Sequence, residues 1–211
     1  MALFPMFVNI RGRYCLVLGG GCVALRKIRT LLLAGGEVHV CSREYAPPLT
    51  EMAAEGKVFF EGADALEECL SKAFLVVCAA SDQNFNERIA RLCQSRRIPV
   101  NCATSEKLST FIFPSVVMSG PVAVGICVDP PAPSLSAHIR REIESFLPEW
   151  YGPLGEELGK LRVLLRPMVA SGECRRRIME RLTDYGLEHQ GHIPMTVFYN
   201  FIEEEEQNED H

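Results

Sequence analysis

Along the first half of the chain, short apolar runs alternate with longer amphipathic stretches. Tyr14–Leu18 is an apolar run suited to a strand. Val23–Leu33 has helical spacing, with Leu25, Ile28, Leu31 and Leu32 on one side and Arg26, Lys27 and Arg29 on the other. Gly35-Gly36 closes that helix. Val38–Cys41 and Val58–Phe60 are predicted strands, with a short helix over Pro48–Glu55 between them. Phe74–Ala80 is almost wholly apolar, as a parallel strand covered on both faces should be. Asn84–Gln94 is a predicted helix with Ile89, Leu92 and Cys93 inward, and Pro99–Cys102 a further strand. Strands alternating with helices predict βαβ units and a parallel sheet.

The rhythm changes near Phe111. Phe111–Val117 and Val122–Val128 are strand-like runs joined through Ser119-Gly120-Pro121, a turn signal that predicts a hairpin or a pair of extended strands. Asp129-Pro130-Pro131-Ala132-Pro133 is rigid and non-helical. Ser134 is the expected N-cap of a helix reaching Phe146, with Leu135, Ile139 and Ile143 inward and Pro148 ending it. From Glu156 to Tyr185 the pattern is helical, broken near Pro167 and Gly172. The chain shows no internal repeat.

The first strand–helix junction carries Gly19-Gly20-Gly21-Cys22-Val23-Ala24. This is a Gly-x-Gly-x-x-Ala spacing in the context that gives it meaning. The first glycine permits a tight turn, the second lets backbone approach a pyrophosphate, and Ala24 allows close helix–strand packing. An anion would then rest on free N–H groups at the helix start. The expected fold class is α/β: a Rossmann-type parallel-sheet domain over 1–112, a smaller segment over 113–148, and a helical C-terminal domain over 149–202. After the second strand come Cys41, Ser42, Arg43 and Glu44. Ser42 could bond a ribose hydroxyl, Arg43 could accept a 2′-phosphate, and Glu44 stands late for the usual acid. The residues leave NAD against NADP open.

Composition adds limits. The 211 residues suffice for one sizeable core plus an appendage, and 47% are hydrophobic against 23% charged, ordinary for a globular chain. No apolar run approaches the roughly 18–20 residues a bilayer span needs. The opening MALFPMFVNIRGR lacks the plan of a secretory signal, so none is expected. Nine scattered cysteines with no C-x-x-C pair predict small buried hydrophobes in a reducing cytoplasm, not a disulfide or zinc framework. The net charge of −5 comes from the end of the chain, where Glu203–His211 holds six acids and no Lys or Arg. That stretch is expected to be a solvated, disordered tail. The rest is near balance, with no field suited to nucleic acid.

Several segments together resemble the precorrin-2 dehydrogenase family, the N-terminal module of sirohaem synthase and its free-standing relatives. They are Leu3-Phe4-Pro5-Met6-Phe7, Gly12-Arg13, the glycine loop with Arg26-Lys27, and Ala79-Ala80-Ser81-Asp82 with Asn84 and Asn86. Val100-Asn101, Phe111-Ile112 with Pro114, and Ile139-Arg140 with Glu142, Glu144 and Leu147-Pro148 complete the set. The match runs in order over about residues 3–185. The resemblance implies NAD-dependent oxidation of precorrin-2 to sirohydrochlorin in a cytoplasmic homodimer, with an intertwined dimerisation region over 113–148. Some relatives also insert Fe(II). It places nucleotide contacts on Cys22, Val23, Arg43 and Glu44, beside Gly19, Gly21, Ser42 and Ala80. Asn101 and Arg140 become candidate substrate contacts.

Two departures set the chemistry. The family usually has an aspartate three residues after the asparagine of Val100-Asn101. Here that position is Thr104, which cannot be a carboxylate base and which puts ferrochelatase activity in doubt. The family's Ser/Thr- and Gly-rich loop is replaced by Cys127-Val128-Asp129-Pro130-Pro131-Ala132-Pro133. Hydride transfer needs a proton acceptor beside the substrate carbon. Asp129 is the first candidate, Glu106 the second, and water a third. His138, four residues after Ser134, is a candidate acid–base or carboxylate contact. His39 fits a structural role, and His189-Gln190-Gly191-His192 lacks a third metal ligand. No metal site is expected. A polycarboxylate substrate calls for arginines, and Arg140, Arg141 and Arg175-Arg176-Arg177 are available. Besides the dehydrogenase, two readings stay open: a tetrapyrrole- or metal-binding homologue that lost the chemistry, and another NAD(P) oxidoreductase on the same scaffold.

Overall fold

The computed structural model describes residues 3–129 and 132–209 and divides the chain into two compact units, one over Phe4–Phe113 and one from Pro114 onward. In the first unit, strands β1 (Tyr14–Leu18), β2 (Glu37–Cys41), β3 (Val58–Glu61), β4 (Leu75–Cys78) and β5 (Val100–Cys102) form one sheet in the order β3-β2-β1-β4-β5. Every pair is parallel. Helices α1 (Cys22–Leu33), α2 (Pro47–Ala54), α3 (Leu66–Lys72) and α4 (Gln83–Ser95) make the crossovers.

The two-residue period of the strands sorts the core into two layers. Cys15, Val17, Val38, Val40 and Val77 meet Ala24, Ile28 and Leu31 of α1 and Leu49 of α2. Leu16, Leu18, Val76, Cys78, Val100 and Cys102 meet Cys69 and Leu70 of α3 and Ile89, Ala90 and Cys93 of α4. Helix α3 was not visible in the apolar pattern. It offers only two buried residues in seven, too few for a stripe.

The second unit opens with an antiparallel hairpin of β6 (Ser115–Ser119) and β7 (Val122–Ile126). Helices α5 (Pro133–Phe146), α6 (Tyr151–Met168), α7 (Gly172–Glu188) and α8 (Met195–Glu209) follow. Ser134 is not the N-cap of α5. Pro133, pre-set for the first helical position, starts the helix and leaves Ala132 as the cap. Pro130 and Pro131 of the proline run lie outside the described residues. No residue of α5 is fully buried, and Leu135 and Phe146 are exposed. The core of this unit is Leu154, Leu161, Leu165, Ile178, Leu182, Phe198 and Ile202, contributed by α6, α7 and α8. Among the described residues, no helix is long and apolar enough to cross a membrane.

The expected disordered tail is instead the end of α8 as far as Glu209; Asp210 and His211 lie outside the described residues. Phe198, Ile202 and Glu205 recur at helical spacing on the buried face. Glu205 accepts hydrogen bonds from Arg177 Nε at 2.7 Å and Arg181 Nη1 at 3.4 Å. Arg181 also pairs with Glu204. The acidic run is therefore ordered by partners on α7 that lie 23 and more residues away in sequence. The Arg177 hydrogen bond holds the Glu205 carboxyl below the ordinary range, so its contribution is present above about pH 4.5 and lost as pH falls through the lowered value.

Replacing Glu205 with Ala leaves two guanidiniums facing the helix seam. The expected result is a fall in melting temperature of about 2–4 °C by circular dichroism at pH 7, shrinking as pH falls below 4.5 and the carboxylate takes up a proton.

Candidate functional site

A strand order of 3-2-1-4-5 reverses direction between β1 and β4, and the crevice outside their carboxyl ends is where such sheets bind ligands. The glycine turn leaves β1 there, beside Ala79-Ala80 at the end of β4. The two are jammed together. Gly19 has φ +118°, and a Cβ on it would come 2.3 Å from the Ala79 carbonyl oxygen. A Cβ on Gly20 would come 2.1 Å from the Glu44 carbonyl oxygen. Only glycine satisfies either position. Gly19 N–H donates to Cys41 O and Gly20 O accepts from Ala46 N–H, which ties the turn to the end of β2.

Gly21 differs. A Cβ on it would meet nothing within 4 Å. It caps α1 in extended backbone, with no side-chain cap and no acid in the first turn. The N–H groups of Cys22 and Val23 therefore open the helix without a competing carboxylate, and both residues are exposed. This is a cradle that fits a dinucleotide pyrophosphate: bare backbone donors, the positive end of a helix dipole, and clearance where phosphate oxygens would lie.

The surrounding residues hold this cradle still. Asn86, fully buried, accepts from Ala80 N–H at 3.0 Å and donates to Ala80 O at 2.8 Å. Asp82 caps α4 by accepting from Phe85 N–H. Ser42 donates to Glu44 O at 2.7 Å, so its hydroxyl proton is engaged within its own turn. Arg43 and Glu44 are exposed, and among the described residues neither side chain has a hydrogen bond or ion pair.

Thr104 occupies an exposed turn directly after β5, at the same end of the sheet, with Oγ1 3.4 Å from Cys102 Sγ. Asn101 is buried within β5 and donates from Nδ2 to Phe111 O at 3.0 Å. Its Oδ1 is buried with no partner among the described residues. Strand alternation puts Asn101 on the opposite face from Val100 and Cys102, the face where Phe111 and Phe113 pack. Lys27 of α1 lies over Phe113, its Nζ 4.3 Å from the ring centroid. Burial, and then the charge of Arg26, lower the Lys27 pKa from the ordinary 10.5 to about 8.

Asp129, His138 and Arg140 belong to the second unit. Asp129 is exposed at the end of the hairpin segment. His138 is exposed on α5 and pairs with Glu142 at 3.4 Å. Arg140 pairs with Glu144 one turn on. His39 sits within β2, with Nδ1 2.7 Å from Glu61 and Nε2 2.9 Å from Glu37, stacked on Tyr14. His189 stacks on Tyr185, and among the described residues no three potential metal ligands gather. All nine cysteines are free thiols, six of them buried, and burial pushes Cys15 and Cys93 up to about 11.

The first unit also matches a family model, described as NAD(P)-binding, over residues 6–115. The chain belongs to this NAD(P)-binding family. It is 37% identical over 181 residues to a siroheme synthase of Neisseria meningitidis, covering 86% of this chain and 38% of the relative. It is 33% identical over 206 residues to the siroheme synthase of Nitrosococcus oceani, covering 98% of this chain and 43% of the relative. The chain thus spans about two fifths of the length of these curated relatives. The solved structure titled SirC, precorrin-2 dehydrogenase, superposes with a TM-score of 0.73 at 23% identity, covering 97% of this chain and 100% of that one. The likeness shows that both units share its fold.

Gly21→Ala should melt within about 2 °C of the parent yet bind NAD at least about tenfold more weakly by calorimetry, whereas Gly20→Ala should fail to fold stably. Undiminished NAD binding by Gly21→Ala would remove the pyrophosphate from this loop. For Lys27, the unfolded chain binds the extra proton between about pH 8 and 10.5, so stability rises with pH across that window and is lowest below it. Lys27→Met should therefore raise the melting temperature at pH 7 by about 2–4 °C, and the gain should narrow by pH 10.

Proposed function

We propose that this chain is an NAD-dependent precorrin-2 dehydrogenase that oxidises precorrin-2 to sirohydrochlorin on the way to sirohaem, working in the cytoplasm as a homodimer. The observation that carries the proposal is the intact cradle at Gly19–Gly21 within a chain that is similar, nearly end to end, to about two fifths of a siroheme synthase. The structural neighbour bears the dehydrogenase title over its whole length. Exposed Met118, Leu135 and Phe146 on the hairpin and α5 support self-association through the 113–148 region, because a lone chain leaves that apolar surface wet.

A bound nicotinamide would supply the hydride acceptor, and the protein's part is positioning and proton handling. The amides of Cys22 and Val23 hold the pyrophosphate. Glu44, exposed and without a side-chain partner among the described residues, takes the ribose hydroxyls, which favours NAD over NADP. Asn101 offers its unpaired Oδ1 as an acceptor, and Arg140 is assigned to substrate carboxylates. Thr104 can donate or accept a hydrogen bond but cannot take a proton at neutral pH. Asp129 is assigned that task, with His138 as a contact to the substrate's acid arms. The missing carboxylate at 104 also argues against metal insertion. It favours one second reading, a homologue that binds tetrapyrrole and nucleotide without turnover.

Protein given precorrin-2 and NAD should yield NADH and the sirohydrochlorin spectrum, with NADP less effective; tight product binding without NADH would establish the second reading. Asp129→Asn should lower turnover by about 10²-fold or more. Unchanged turnover would move the proton to Glu106 or water. Thr104→Asp should raise dehydrogenation if the native site is weakened, and leave it unchanged if Asp129 suffices.

A further inference from the structure

Of the five lysines in the chain, three are held by carboxylates. Lys57 pairs with Glu55 at 2.6 Å, Lys72 with Glu68 at 2.5 Å and Lys160 with Glu157 at 3.4 Å. Lys107 is exposed. Lys27 is different. Its Nζ lies 4.3 Å from the centroid of the Phe113 ring, and Phe113 meets Phe111 with ring centroids 5.4 Å apart. Both rings pack against the apolar layer that includes Ala24, Ile28 and Leu31 of α1. Among the described residues Lys27 has no hydrogen bond or ion pair.

This isolation is written in the local sequence. Helix α1 carries Arg26, Lys27 and Arg29 and no acid along its length. The neighbours of Lys27 on the helix surface, three and four residues away, are Val23, Ala24, Thr30 and Leu31. A carboxylate one turn away, such as Lys72 has in Glu68, is therefore absent. The ring face attracts a cation but offers no lone pair to a proton, and Arg26 repels it. Lys27 is half-buried, neither sealed in the core nor fully solvated.

We propose that Lys27 is a modification site that takes an acyl group from a thioester and seats it beside Phe113 and Phe111. The amine nitrogen bonds to the acyl carbon, the carbon–sulfur bond breaks, and the proton shed by nitrogen leaves with the sulfur as a free thiol. The product is a neutral amide, which suits an apolar seat better than an ammonium does. Only the unprotonated amine attacks. With its pKa lowered to about 8, about a quarter of Lys27 is in that form at pH 7.5, against roughly one part in a thousand for an ordinary lysine. The modification does not depend on the dehydrogenase reading, since Lys27 is assigned no part in that chemistry.

The test is incubation of the full chain with acetyl-coenzyme A at pH 8, followed by peptide mass spectrometry of all five lysines over time. Lys27 should acetylate first, at least about tenfold faster than Lys107. Its rate should level off above about pH 8, where that of an ordinary lysine still climbs. Thr30→Glu sets a carboxylate one turn from the amine with a residue that suits a helix. It should keep the parent's circular dichroism and slow Lys27 by about threefold or more. Acetylation of Lys27 no faster than that of Lys107 would overturn the site. So would a rate still rising to pH 10, or Thr30→Glu reacting as fast as the parent. NAD and precorrin-2 play no part in the readout, so a failed dehydrogenase assay leaves these outcomes as they stand.

Discussion

The close approach of the glycine turn to its neighbours is the constraint on which the nucleotide-binding unit depends. The backbone of Gly19 presses on the carbonyl of Ala79, and that of Gly20 on the carbonyl of Glu44. These contacts lock the ends of β1, β4 and the β2 loop together at the point where the strand order reverses. No side chain can stand there, so the sequence has no freedom at 19 and 20. Gly21, one residue on, is under no such constraint from the protein itself. Its lack of a side chain leaves clearance outside the fold, which the proposed nucleotide loop would use.

Rigidity at this turn is extended by polar groups that have no water to replace them. Asn86 satisfies both backbone groups of Ala80 from within the core, and a buried amide left unpaired would cost about 1–3 kcal/mol. Asp82 fixes the start of α4 so that Asn86 reaches its mark. The Ala79-Ala80-Ser81-Asp82 segment with Asn86 is therefore one device: a chain reversal at the end of β4 whose backbone bonds are closed by the helix that follows. Asn101 breaks this pattern of full satisfaction. Its Nδ2 is used and its Oδ1 is not, although it is buried within β5.

What the sequence disclosed, and what it withheld, follows from the range of the interactions. The strands of the sheet and helices α1 and α4 are written in local periodicity, and their predicted limits fall within about two residues of the observed ones. The glycine spacing was equally local. Helix α3 was missed because a short, half-covered helix has too few apolar positions to show a period. The acidic end of the chain was misjudged for the opposite reason. Composition alone makes Glu203–Glu206 a solvated run, but Arg177 and Arg181 come to it from another helix, and sequence order gives no sign of that pairing. Ser134 lost the cap to a neighbour, because Pro133 is a stronger local signal for the first helical position.

The proposed site divides along the same line. Its nucleotide half was legible because pyrophosphate recognition is done by backbone, and backbone demands a particular residue, glycine, at fixed spacing. Its substrate half was legible only as residue types. Thr104, Asp129, His138 and Arg140 are polar groups that many environments accept, and nothing in their spacing forces one role. Burial distinguishes them poorly too, since Thr104, Asp129 and His138 are all exposed. The contrast with Asn101 is instructive. An amide placed between Val100 and Cys102 in an otherwise apolar strand has no local reason to be there. The structure pairs half of it and leaves the other half open. A polar group that the fold buries but does not satisfy marks a place where a ligand can complete the structure, and it does so more sharply than an exposed acid or base.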